Sequence, residues 1–96
     1  MNKIDIYNKL KQQQLKYDIE SLENKINRIQ LASIIEQDGT FNWAEYCAHK
    51  SMGIYEAMEN ILGRDYLLNA QSNDETKSLL NKWFDLNNKH AELKKA

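Results

Sequence analysis

The chain has 96 residues, enough for one domain with a modest core, since a chain this short buries only about 60 to 65% of its unfolded surface. Its formal net charge is −1, from 13 Lys and Arg against 14 Asp and Glu, which argues against a protein whose main task is neutralising phosphates. The single cysteine excludes an internal disulfide and leaves too few thiolates for a structural zinc site.

No stretch approaches the roughly 18 apolar residues of a membrane span, and the start Met1-Asn2-Lys3-Ile4-Asp5 lacks the apolar core of a signal peptide. A cytoplasmic protein with no membrane partner is the expectation. With no proline and only Gly39, Gly53 and Gly63, the chain reads as long helices joined by short turns. The predicted fold is all-α, a three-helix bundle with a long N-terminal helix, oligomeric, forming one domain over residues 1–96.

The first helix is predicted over about residues 3–36, ending before Gly39. Leu15, Ile19, Leu22, Ile26 and Ile29 alternate in steps of four and three, and Ile4 falls on the same line, the seam of coiled-coil-like packing. A second apolar set lies nearly opposite: Ile6, Leu10, Tyr17, Leu31 and Ile35. One small bundle cannot easily bury both faces. The helix would also run to roughly 50 Å, against 30 to 33 Å for its neighbours, so the second set is expected to be a partner-binding or oligomer face. Coverage by Tyr66, Leu67 and Leu68 is the competing expectation.

The second helix is predicted over residues 43–62. Asn42 with Glu45 reads as a capping box, Phe41 with Tyr46 as a hydrophobic staple, and Gly63 as the stop. Its buried stripe is predicted to hold Trp43, Ala44, Cys47, Ser51, Ile54, Tyr55, Met58, Ile61 and Leu62. Glu45, Met52, Glu56 and Glu59 fall on the far side as a candidate acidic face for a protein partner. A short helix or loop is expected over 65–70. Ser72 with Glu75 reads as a cap for the last helix, over residues 73–94. There Leu79, Leu80, Trp83, Phe84, Leu86, Ala91 and Leu93 form the core face.

The stretch "FNWAEYCAHKSMGIY", residues 41–55, holds chemistry-bearing letters without a constellation. Cys47 and His49, two residues apart on a helix, point in nearly opposite directions and cannot form a nucleophile pair. Glu45 and His49 share a face, but two ligands without a third do not make a metal site. "DGTFNWAE" departs from a calcium loop by placing Trp43 where glycine is needed. No glycine-rich turn precedes a helix to cradle phosphate. The expectation is therefore no enzyme, no cofactor and no metal.

Charge is uneven. Residues 1–16 carry Lys3, Lys9, Lys11 and Lys16 against Asp5, a balance of +3; residues 36–75 carry eight acids against Lys50 and Arg64, a balance of −6. Asparagine and lysine together supply 22 residues, a usage common in AT-rich genomes, including those of many phages.

The function expected is a small non-enzymatic interaction protein that acts by binding a protein partner and itself, in the manner of phage or mobile-element inhibitors of host proteins. The alternative is an oligomeric sponge that holds a small nucleotide-like ligand between subunits, with Tyr7, Lys11, Tyr17 and Arg64 as stacking faces and cations. For that alternative, the Trp43 to Gly53 helix with Ala57 beyond it is loosely similar to helical phage sponges for cyclic oligonucleotides. The likeness covers about fifteen residues, carries no distinctive motif and assigns no family. Nucleic acid is not an expected partner.

Overall fold

The computed structural model describes residues 2–31 and 43–95, except the side chains of residues 30 and 31. All regular structure in these residues is helical: α1 (Lys3–Leu31), α2 (Trp43–Leu62), α3 (Arg64–Asn69) and α4 (Asp74–Lys95). The four helices pack together, with α1 as the spine against which α2 and α4 both lie, while α3 packs on α2. The molecule is elongated, 49 × 25 × 19 Å. The predicted first helix from residue 32 onward, the Phe41/Asn42 cap and Ile35 fall outside the described residues.

Two helix starts are set by asparagines. Asn2 Oδ1 accepts from Asp5 N–H at 2.9 Å, and Asn73 Oδ1 accepts from Thr76 N–H at 2.9 Å. Each satisfies an amide that has no partner inside its own helix. The second corrects the expected Ser72/Glu75 cap by one residue. Gly63 ends α2 with φ 89° and ψ 146°, a conformation open in practice only to glycine. Its N–H still donates to the Glu59 carbonyl at 2.9 Å, so α3 begins directly after the last turn of α2.

The predicted seam of α1 forms the core. Leu15, Ile19, Leu22 and Ile26 are buried, whereas Ile4 and Ile29 at the ends are 55% and 37% exposed. At the N-terminal end Tyr7, Met58 and Leu62 make a cluster on which Ile6, Leu10, Tyr66 and Leu67 pack. The second apolar face of α1 is therefore not a continuous bare surface. Its first two members, Ile6 and Leu10, are half-buried within their own chain, packed on the Tyr7, Met58 and Leu62 cluster that also receives Tyr66 and Leu67 of α3; Leu68, by contrast, is 78% exposed.

A buried polar clamp joins the start of α1 to the start of α4. Asn8 Oδ1 accepts from Thr76 Oγ1 at 2.8 Å and from Asn73 N–H at 2.8 Å. Asn8 Nδ2 donates to the Ile4 carbonyl at 2.9 Å and the Gln71 carbonyl at 3.4 Å. Gln12 Nε2 donates to Thr76 Oγ1 at 3.1 Å. Among the described residues no buried side-chain nitrogen or oxygen lacks a partner. Such a network fixes register, because any slip of α4 along α1 leaves buried polar atoms unsatisfied.

The arrangement is more open than a closed three-helix bundle. α2 and α4 each contact α1 extensively but hardly meet one another. Consequently α4 buries only Thr76, and the stripe expected as its core face stays partly uncovered: Phe84 is 54% exposed. On α2, Trp43, Tyr55 and Ile61, expected in the core, are instead 39%, 38% and 58% exposed. The cause is shared. A helix that lies along its length against one long neighbour, as α2 and α4 each lie against α1, buries a narrow seam, not the wide arc needed between two.

Candidate interaction surface

α2 is held antiparallel to α1. Ser21 Oγ donates to the Ala44 carbonyl at 2.8 Å near the start of α2, and Met58 and Leu62 reach Tyr7 at its end. The buried seam is Ala44, Cys47, Ser51, Met58 and Leu62. Each flank of this seam then forms a groove with α1.

The chemistry-like residues separate as their helical positions dictate. Cys47 is fully buried and its Sγ donates to Glu20 Oε2 at 3.5 Å. Burial first, then the Glu20 hydrogen bond and charge, push the thiol pKa up, so the reactive thiolate is disfavoured. Thiol reagent at pH 8 is expected to label Cys47 at a small fraction of the unfolded chain's rate; labelling as fast as in denaturant would contradict this placement. His49 lies on the outside, Nε2 3.8 Å from Glu45 Oε1, with both side chains mostly exposed. On α4, burial and then the charges of Lys94 and Lys25 lower the His90 pKa. Stability from neutral His90 is present above about pH 6.5 and is lost as pH falls through the folded pKa. Among the described residues no three ligand-type side chains converge on one point.

One groove is acidic. Asp18 and Gln14 of α1 face Ser51, Met52, Tyr55, Glu56 and Glu59 of α2. Three carboxylates thus surround two partly exposed apolar side chains, Met52 at 62% and Tyr55 at 38%. The predicted acidic face is divided by the packing. Met52, Glu56 and Glu59 belong to this groove, whereas Glu45 lies nearer the start of α2 in a depression with Lys25 and Arg28, where bases offset its charge. Asp18, Gln14 and Tyr55 are members that sequence reasoning missed. A period of about 3.6 gives the faces of one helix but not which face of another will stand beside it.

The opposite groove has a different character. Leu10 of α1 faces Tyr46, His49, Lys50, Gly53, Ile54 and Ala57 of α2. The Trp43 and Tyr46 rings stack at 5.1 Å, and Lys50 Nζ lies 5.4 Å from the Tyr46 ring centroid. Leu10, from the predicted second face of α1, lines this groove. Tyr17 is half-buried in a separate depression with Gln13, Lys16 and Glu20. The side chain of Leu31 lies outside the described set.

Tyr7, Lys11, Tyr17 and Arg64 do not come together within one chain. Tyr7 is a core residue, 7% exposed, with its hydroxyl 3.4 Å from Ser72 Oγ. Ten residues of helix place Tyr17 about 15 Å along the axis from it. Lys11 donates to Gln14 Oε1 at 3.1 Å, and burial lowers its pKa despite the opposing charge of Asp18. Arg64 is exposed on α3.

Fold and surface together define a small helical protein with a narrow core, a shielded thiol and two unlike grooves along one helix. No family model, curated protein or solved structure matches the chain. Among the described residues no helix is long and apolar enough to cross a membrane.

Proposed function

We propose that this chain is a small non-enzymatic interaction protein that works as a homo-oligomer and binds a basic, amphipathic helical segment of a protein partner. The acidic groove carries this reading: Asp18, Glu56 and Glu59 around Met52 and Tyr55. Carboxylates alone would be a solvated face, but an exposed methionine and tyrosine between them offer apolar contact as well. A helix with lysines flanking a leucine stripe matches both features. The asparagine- and lysine-rich composition accords with a phage or mobile-element source, and in that setting such binding would serve to inhibit a host protein.

The test uses a fluorescent 20-residue peptide with lysines on one face and leucines on the other. Its binding is expected to weaken as salt rises, and Glu56→Lys with Glu59→Lys should weaken it at least tenfold, a loss of about 1.4 kcal/mol. A peptide of the same composition without the helical period should bind poorly. Equal binding by the reversed-charge variant would overturn the reading.

The sponge alternative requires its ligand site to be built between subunits from Lys11, Tyr17 and Arg64 without the Tyr7 ring. No thermal stabilisation by cyclic di- or trinucleotides at high excess would dispose of it.

A further inference from the structure

The acidic groove does not stop at Met52. The same methionine also lines the depression that holds Lys25, Arg28, Glu45 and His49, so the two hollows adjoin along one flank of α2. Their other wall is a single line on α1: Gln14, Asp18, Lys25 and Arg28 follow one another in steps of four, seven and three, which keeps them on one helix face. Along that line the charge changes sign. Asp18, Glu56 and Glu59 stand at one end; at the other Lys25 and Arg28 outnumber Glu45, whose Oε1 already has His49 Nε2 at 3.8 Å. The end of α4 adds to the positive side, since the charges of Lys25 and Lys94 both reach His90.

We propose that the two hollows form one charge-divided groove, and that its partner is a helical segment with basic residues over Asp18, Glu56 and Glu59 and acidic residues over Lys25 and Arg28. It rests on the reading of the acidic groove as the partner site, and adds the order of charge along the partner. From Gln14 to Arg28 the wall of α1 spans roughly 21 Å, so a helix of about 14 residues reaches both ends. Met52, 62% exposed at the junction, gives the middle of that helix an apolar contact.

The charge order excludes simpler occupants and fixes direction. A uniformly basic helix would set lysines against Lys25 and Arg28, and a polyanion would meet Asp18, Glu56 and Glu59. Turned end for end, the divided segment meets like charges at both ends. Only one orientation satisfies both.

The test compares three fluorescent 20-residue peptides that share one leucine stripe: lysine-only, charge-divided with lysines in one half and glutamates in the other, and the same lysines and glutamates interleaved. The divided peptide is expected to bind about fivefold or more tighter than the interleaved one. Lys25→Glu, at an exposed position, should remove that advantage and tighten the lysine-only peptide, with helix content unchanged. Lys25→Gln should shift both affinities the same way by less. If none of the peptides binds, the partner site and its charge order fall together. If the lysine-only peptide binds and responds to Glu56→Lys with Glu59→Lys, but divided and interleaved peptides bind alike, the charge-divided groove alone is overturned. Loss of self-association in Lys25→Glu, with peptide affinities untouched, would assign the groove to a second copy and overturn it as well.

Discussion

Asn8→Leu is expected to cost about 3 kcal/mol and to lower the melting temperature by roughly 12 to 24 °C, at about 4 to 8 °C per kcal/mol for a domain of this size. Asn8 is only 4% exposed and uses both ends of its amide: two donors reach Oδ1, and Nδ2 reaches two carbonyls. Leucine has the same number and branching of side-chain heavy atoms, is somewhat bulkier, and has no polar atom. Thr76 Oγ1 can turn to Asn73 Oδ1, already 2.8 Å away, but the Asn73 N–H and the Gln71 carbonyl lose their side-chain partner. Each such group left without a partner costs about 1 to 3 kcal/mol. Urea unfolding should show a lower midpoint with an unchanged slope. Asn8→Asp is the sharper chemical probe, because a carboxylate still accepts from Asn73 and Thr76 but cannot donate to Ile4 or Gln71. It should be destabilised too, and recover partly as the added carboxyl is protonated.

Met58→Ala is expected to destabilise by about 2 to 5 kcal/mol, the range for emptying a buried methionine site. Met58 is 1% exposed and among the largest fully buried side chains. It sits where α1, α2 and α3 meet, with Tyr7 and Leu62 beside it and Tyr66 and Leu67 over the cluster. The cavity should therefore loosen α3 and the first turns of α1 before the remainder, visible as faster amide exchange at residues 64–69. Met52→Ala, a change at a 62% exposed position on the same helix, should stay within about 0.5 kcal/mol. Comparable losses for the two would mean that the narrow seam of α2 is misplaced.

Much of the fold was legible from short-range pattern. Gly63 marks the end of α2 because no other residue tolerates its backbone conformation well, and the four-three spacing of Leu15, Ile19, Leu22 and Ile26 marks the buried side of α1. The start of α4 was displaced by one residue because Ser72/Glu75 and Asn73/Thr76 are both plausible caps on local grounds. Asn8, far away in sequence, decides between them by accepting the Asn73 N–H. The asparagines also show what composition conceals: Asn2 and Asn73 cap helices and Asn8 closes the clamp, whatever the genome's base content.

The surface was half legible. Met52, Glu56 and Glu59 share an arc of one helix and could be read from its period. Asp18 and Tyr55 could not, because their membership depends on which side of α2 stands against α1. The expected arc of Trp43, Tyr55 and Ile61 was too wide for the same reason: it assumed two neighbours for α2, and α4 lies against α1 instead. Ile6 and Leu10 of the second apolar face of α1 are half-buried because they pack on a cluster completed by Met58 and Leu62 of α2, a contact that the period of α1 alone does not show.

We propose that the acidic flank of α2 is where the partner binds. Amide chemical shifts of the labelled protein during titration with the lysine-leucine helical peptide test it directly. The expected result is a set of changes concentrated at Gln14, Asp18, Met52, Tyr55, Glu56 and Glu59, absent in Glu56→Lys with Glu59→Lys. Changes centred instead on Leu10, Tyr46 and Gly53, or no saturable change at millimolar peptide, would contradict the account.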